Sequence, residues 1–517
     1  GSVYATATIS PETFVADSLT SLPINLDYTP ADSIYLSFFY QPTGNGLQPG
    51  TYDSLCLDFY AVDSGVWNTV WAIPGDTLSA FRQVMVPIKD TIYLKDGFRF
   101  AFHNRASLPS NTDYKDKRGN VDHWNIDYVR LDKDRFRTDT VIRDVAFTSP
   151  TPSMISGYQA LPWKHFKSAY NTKYLGAITF LYQNNDSADR NVTRYLSYED
   201  IVWNETFSPG SPSTQDIFAG TSTSYSYSGI YPFDFDRGDT AIIRIKSWLK
   251  TDDFDNKVND TLYRDQLFLD YFAYDDGSAE RAYGLRGQGS NNGLIAMQFD
   301  SYITDKLEGV DLYFTQLYDS LNLGYFFKLM VWGDDNGKPG EVLYESEIDS
   351  TVNYSDEINK YIRFPFERTV TVSNKFYVGM MQYNQYMLNI GLDINNKTNG
   401  HLFYNLGEGW EISGAPGILM MRPYVKKPLT KVEENIFPGT ELQVWPNPAD
   451  THLFLKAGDI SLDGSTVSIY DLTGKILYRD RYTGEEISTG MLNEGIYILR
   501  LDNGQSNPLT VKFLVRR

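Results

Sequence analysis

Three runs of acidic and amide side chains are the residues best suited to chemistry: Asp252-Asp253-Phe254-Asp255-Asn256, Asp275-Asp276-Gly277 and Asp334-Asp335-Asn336-Gly337. Oxygens at such spacing suit a hard cation such as calcium. None of the runs continues into a twelve-residue loop closed by Glu, so all three read first as solvated turns. Asp334, Asp335 and Asn336 are the set that could hold a structural Ca²⁺, and no other cofactor is expected. Paired acids of a glycosidase would have to flank one bond, and nothing in the chain singles out a pair. The five histidines (His103, His123, His165, His401 and His452) show no two at ligand spacing. His-Glu-x-x-His, Gly-x-Ser-x-Gly and phosphate-loop motifs are all missing. Gly287 to Gly293 is glycine-rich but misses the dinucleotide spacing, and reads as a turn.

Aromatic residues are the second chemical resource, at 15% of the chain with 38 Tyr, 30 Phe and 9 Trp. Rings can stack on a ligand, and Trp67, Trp71 and Trp124 lie in one region where a sugar face would find them. Core packing is the competing use of each. The single cysteine, Cys56, lies in the run Leu55-Cys56-Leu57. A reactive thiol needs a base beside it, whereas a buried strand residue does not, and with one cysteine no intramolecular disulfide can form. No catalytic residue emerges. The reading is a non-enzymatic protein that binds a glycan or a protein. The alternatives are a hydrolase of extracellular polymers and a structural or accessory component of a surface layer or secretion apparatus.

The elements that must position these residues are strands. Aromatic and β-branched residues fit pleated surfaces, and 39 Gly and 23 Pro punctuate them. In Gly97 to His103, Phe98, Phe100 and Phe102 share one face while Arg99, Ala101 and His103 share the other. Ser33 to Tyr40, Ser54 to Val62 and Val84 to Leu94 read similarly, and helical periodicity is nearly absent. At 517 residues the chain exceeds one core. The expected fold class is all-β: tandem β-sandwiches of jelly-roll and immunoglobulin-like type plus a small C-terminal sandwich. Residues 3–135 form a lectin-like jelly roll, and the charged hinge Asp132 to Arg135 closes it. Residues 136–273 form a second sandwich, with strands at Tyr174 to Tyr182, Thr240 to Lys246 and Gln266 to Tyr271. Ser208 to Thr214 is a loop there, and Gly220 to Ser228 an edge segment. Residues 274–428 form a third, in which Phe327, Leu329 and Val331 alternate with Lys328, Met330 and Trp332. Residues 429–440 are a linker, and 441–517 the last domain.

That last domain carries the most specific string. Trp445-Pro446-Asn447-Pro448 opens it. Val467-Ser468-Ile469-Tyr470-Asp471-Leu472-Thr473-Gly474-Lys475 follows, then Gly495-Ile496-Tyr497-Ile498-Leu499-Arg500 and an ending on Lys512-Phe513. Prolines cannot donate to a central ladder, so the first tetrapeptide belongs at the domain's entrance. In this order the four features resemble the type A C-terminal sorting domain of the type IX secretion system of Bacteroidetes. Trp445 stands where the family usually has Tyr or Phe. The resemblance implies export across the inner membrane behind a signal peptide, folding in the periplasm, and recognition by an outer-membrane translocon. It further implies removal by a surface sorting peptidase that joins the cargo to a lipopolysaccharide. Cleavage would fall between Lys426 and Thr440, and the protein would be secreted or held on the outer face of the outer membrane. More weakly, Asp122 to Val129 resembles the closing strand of lectin-like or MAM-like jelly rolls, with no chemistry attached.

Bulk charge narrows the partners. At a formal −19 the surface repels phosphate backbones, so nucleic acid is excluded as a partner. No apolar run is long enough for a membrane span. No signal peptide opens the chain at Gly1-Ser2, which says nothing against export. Asp-Ser and Asp-Thr steps recur, as at Asp53-Ser54, Asp76-Thr77 and Asp90-Thr91. They resemble the O-glycosylation motif of exported Bacteroidetes proteins and serve equally well as turn initiators.

Overall fold

The structure is a computed structural model. It describes residues 13–107, 122–228, 231–251, 255–316, 322–355, 357, 359–396, 400–425, 442–457, 462, 464–471, 476–484, 486–502 and 509–516. The linker expected at 429–440 lies outside them, as do Leu472, Gly474 and Lys475. The chain divides into two compact units, Gly1–Lys427 and Pro428–Arg517. It is all-β apart from one α-helix and a short 3₁₀ turn among the described residues.

In the first unit, strands β1 (Phe14–Thr20), β2 (Ile34–Pro42), β3 (Ser54–Ala61), β4 (Val66–Pro74), β5 (Arg82–Ile88), β6 (Phe100–Ala106) and β7 (Trp124–Asp132) open the chain. They form two antiparallel sheets, β1-β6-β3-β4 and β5-β2-β7. Period-2 alternation decides their faces: Ile34, Leu36, Phe38 and Tyr40 of β2 meet Leu55, Leu57 and Phe59 of β3 in one core. Phe38 packs edge-on to Trp71 (5.1 Å) and Phe102 (4.8 Å), contacts of ~0.5–1.5 kcal/mol each beyond burial. Phe98 and Phe102 are buried as the alternation requires, although the strand breaks at Arg99. The segment read as Val84 to Leu94 is strand only to Ile88, since the polar Lys89-Asp90-Thr91 turns the chain. Cys56 is buried.

Beyond residue 135, the largest apolar cluster has members from Met154 to Val425, on both sides of residue 273, and two smaller clusters gather around Tyr182 and Trp332. The helix α1 (Trp163–Lys173) was not foreseen; it buries Trp163, His165, Phe166 and Ala169. It ends where Tyr174 turns extended, and the strand expected from Tyr174 begins at Ile178. Strands β8 (Arg190–Asp200), β9 (Ala241–Lys250) and β10 (Thr261–Phe268) form a sheet in that order, with Glu205–Phe207 and Ser213–Ile217 both pairing with β8. Ser222–Tyr227 lies at the edge of a neighbouring three-stranded sheet.

The largest sheet has eight strands, centred on β11 (Leu294–Leu312), β12 (Phe326–Asp335), β13 (Lys338–Glu345) and β14 (Ile362–Gln382) in the order β13-β12-β14-β11. Gly379 of β14 lies against the β11 backbone, where a Cβ would meet Ile295 O at 1.8 Å; only glycine permits that approach.

The second unit is a three-on-four sandwich. Strands β15 (Leu442–Trp445) and β16 (His452–Ala457) sit in one sheet. The other has the order β18-β17-β19-β20, from β17 (Thr466–Tyr470), β18 (Ile476–Arg481), β19 (Gly495–Asp502) and β20 (Leu509–Val515). Leu453, Ile469, Leu499 and Phe513 are among its buried core.

Candidate functional sites

In the C-terminal unit, the motif residues divide by face. Tyr497 and Phe513 point inward with rings 5.9 Å apart, and the Tyr497 hydroxyl donates to Asn493 O at 2.8 Å. Arg500 and Lys512 point outward, on the same face as the partly exposed Ile496, Ile498 and Leu514. The entrance segment latches onto the last strand: Asn447 Oδ1 accepts Leu514 N (2.9 Å), and Ala449 N donates to Leu514 O (2.7 Å). Pro446 and Pro448 have no N–H to offer, so the Asn447 side chain makes the edge contact instead. Trp445 is exposed and stacks on Phe454 at 5.7 Å. Tyr470, half-buried, ends β17 beside Asp471, and Gly495 starts β19.

In the first unit, the three candidate tryptophans do not meet as one platform. Trp71 and Trp124 pack against the first core, tilted on Tyr40 at 5.2 and 6.5 Å. Trp67 faces solvent and rests on Tyr60, which also carries Arg99 on its ring. Asp334, Asp335 and Asn336 form the hairpin between β12 and β13. Asn336 and Gly337 both have positive φ, as a two-residue turn of type I′ requires. Tyr377 OH and Gly337 N occupy the two oxygens of Asp334, and Asn336 occupies one of Asp335. No three His, Cys, Asp or Glu side chains among the described residues form a group that could hold a metal ion.

Three of the five histidines have structural partners. His165 is fully buried, with Nε2 3.0 Å from Asp305 and Nδ1 accepting Tyr302 N, and burial holds it below the usual imidazole range. His123 accepts Leu47 N and is likewise lowered by burial. His103 pairs with Asp58. Asp76 and Asp90 cap their own turns, and the carboxylate of Asp53 is buried.

One aromatic surface was not named from sequence. On the solvent face of β8-β9-β10, Tyr195 pairs across strands with Trp248; the rings stack 4.8 Å apart at 7°. Lys246 lies 5.0 Å from the Trp248 ring centroid and 5.7 Å from that of the exposed Tyr263. Arg244 clasps Asp265 alongside with two bonds of 2.8 and 2.9 Å. The opposite face carries Leu196, Tyr198, Ile243 and Ile245 into the core. Alternation in β9 was legible through Lys246, but no local signal placed Tyr195 opposite Trp248, because register is a tertiary property.

The fold and its latched C-terminal unit thus define an all-β cargo protein with a separate address module. Residues 443–516 match the secretion system C-terminal sorting domain, and the chain is a cargo of type IX secretion, exported to the cell surface or released. No helix among the described residues is long and apolar enough to cross a membrane.

Among curated proteins, an endo-acting ulvan lyase of Formosa agariphila is similar, 27% identical over 88 residues. That stretch is 16% of this chain, which spans 17% of the lyase. Among solved structures, a Bacteroides uniformis β-glucuronidase 2 is similar at a TM-score of 0.21 and 11% identity, over 52% of this chain and 28% of that one. A putative β-galactosidase of Bacteroides fragilis scores 0.20 at 11% identity, over 48% and 32%.

Proposed function

We propose that the cargo is a non-enzymatic surface protein that binds a glycan on the solvent face of β8-β9-β10. The observation that carries this reading is the Tyr195–Trp248 stack with Lys246 and Tyr263 beside it. Aromatic surface held on a sheet removes sugar C–H groups from water at little entropic cost. Ser197, Glu199 and Arg244 on the same face offer partners for hydroxyls. The structural use of His103, His123 and His165 supports binding over catalysis. The segment shared with the ulvan lyase is too short to bring that enzyme's activity here. Outside the cargo, the sorting domain's partners are the translocon and the surface peptidase of its route.

The test is a glycan array with the full chain, followed by affinity measurement on Trp248→Ala and Tyr195→Ala. The expected result is binding to a polysaccharide that falls at least tenfold, about 1.4 kcal/mol, in either variant and is unchanged in Trp67→Ala. Equal affinity in all three variants, or release of new chain ends from the polymer, would overturn the proposal.

A further inference from the structure

The outer face of the four-stranded sheet in the C-terminal unit holds large apolar side chains in solvent. Cross-strand register fixes which residues share that face, because directly opposed residues project to the same side. Tyr470 of β17 lies opposite Ile476 of β18 on one flank and Ile498 of β19 on the other. Ile498 in turn lies opposite Lys512 of β20, and Ile496 opposite Leu514. Further along β17, Ser468 stands between Arg479 and Arg500, and Thr466 pairs with Arg481. The alternate positions Val467, Ile469, Tyr497, Leu499 and Phe513 fill the core instead.

Ile476, Ile496, Ile498 and Leu514 are each between 36% and 46% exposed, and Tyr470 is half-buried. One isoleucine at an outward strand position would be ordinary, since β-branched side chains suit strands. Aliphatic side chains adjacent across the sheet, with Tyr470 joining them, form a continuous patch, which on a soluble domain marks a binding surface. Arg479, Arg481, Arg500 and Lys512 are exposed on the same face. The one acidic position among these pairs, Asp502, lies at the far end opposite Thr466. The face is therefore basic, on a chain of formal charge −19. Arginine around an apolar centre is the composition of protein interfaces, and its planar fork matches carboxylates. Tyr470, Arg500 and Lys512 also belong to the motif strings of this domain, and the core accounts only for their inward neighbours.

We propose that this face of the sorting domain docks on the export machinery, against a protein surface with an apolar centre and carboxylates around it. The inference rests on the translocon being the domain's partner and names the surface that meets it. Isoleucine side chains on a sheet are stiff, so they leave water together at little conformational cost. The flanking arginines and Lys512 steer the encounter and set its orientation, as charges at the rim of an interface do.

The test compares full-length chains in export-competent cells, with the protease-accessible surface fraction and the periplasmic fraction read separately. Ile498→Ser, and separately Arg479→Glu combined with Arg481→Glu, should lower the surface fraction by about tenfold or more and hold the chain in the periplasm. Lys456→Glu, exposed on the other sheet of the domain, should export as the wild type. Melting of each purified chain checks that it is folded, and Leu514→Ser gives a second reading if one variant is not. Wild-type export of the folded serine and glutamate variants would overturn the proposal and leave the address intact. Export of a chain lacking residues 441–517 would instead remove the reading on which the proposal rests. In a parallel arm the purified chain is mixed with phosphatidylglycerol vesicles, and no binding is expected. Vesicle binding that the glutamate variant abolishes would assign the face to anionic lipid and overturn the protein partner.

Discussion

Asp122 offers the sharpest test of the energetics, because its burial has a sign that pH can read. It is 6% exposed and lies beside Asp53, whose carboxylate already accepts Ser107 N (2.6 Å), Ser107 Oγ (2.5 Å) and Gly50 N. Burial, and then the neighbouring Asp53 charge, push the Asp122 carboxyl up to about 8 from 3.8. The folded state therefore keeps a proton that the unfolded chain releases above pH ~4. Stability should fall as pH rises from ~4 to ~8 and level off beyond, by up to ~1.4 kcal/mol per pH unit and at most ~6 kcal/mol in all. Asn imitates the protonated acid and can still donate to Asp53. Asp122→Asn should then match the wild type at pH 4 and exceed it increasingly up to pH 8. Guanidinium unfolding of both proteins at each pH, followed by tryptophan fluorescence, measures the difference. Parallel pH profiles for the two proteins would refute the argument.

Two further outcomes follow from the packing and the address. Asp275 is fully buried, and Arg422 binds both its oxygens from between the rings of Tyr361 (4.2 Å) and Tyr271 (5.3 Å). Arg422→Met strands that charge and should cost ~3–5 kcal/mol, while adding Asp275→Asn should recover part of the loss; equal urea midpoints for single and double variants would contradict this. Deleting residues 441–517 should leave the cargo in the periplasm, and protease-accessible display of the truncated chain on intact cells would contradict the assignment of the address.

Local chemistry made much of this protein legible. The all-β class follows from alternation that each strand carries within itself: Leu36, Phe38 and Tyr40 can face one core only as a strand. The sorting domain was legible because Trp445-Pro446-Asn447-Pro448 and the strands after it form a contiguous string, and the structure supplied its reason in the bond from Leu514 N to Asn447. Helix α1 was hidden, since its burial rests on partners such as Phe268 and Phe272 about a hundred positions on. Trp71 and Trp124, possible stacking rings by type, lie half-buried against the first core through the pairing of β2 with β7 and the sheet facing them. Tyr195 and Trp248, 53 positions apart, acquired a shared face only through the register of β8 on β9. Alternation and turn chemistry act over a few residues, so the strands and the address can be read along the chain. Strand register and the burial of charge depend on residues far apart in the chain, so they emerge only once it is folded.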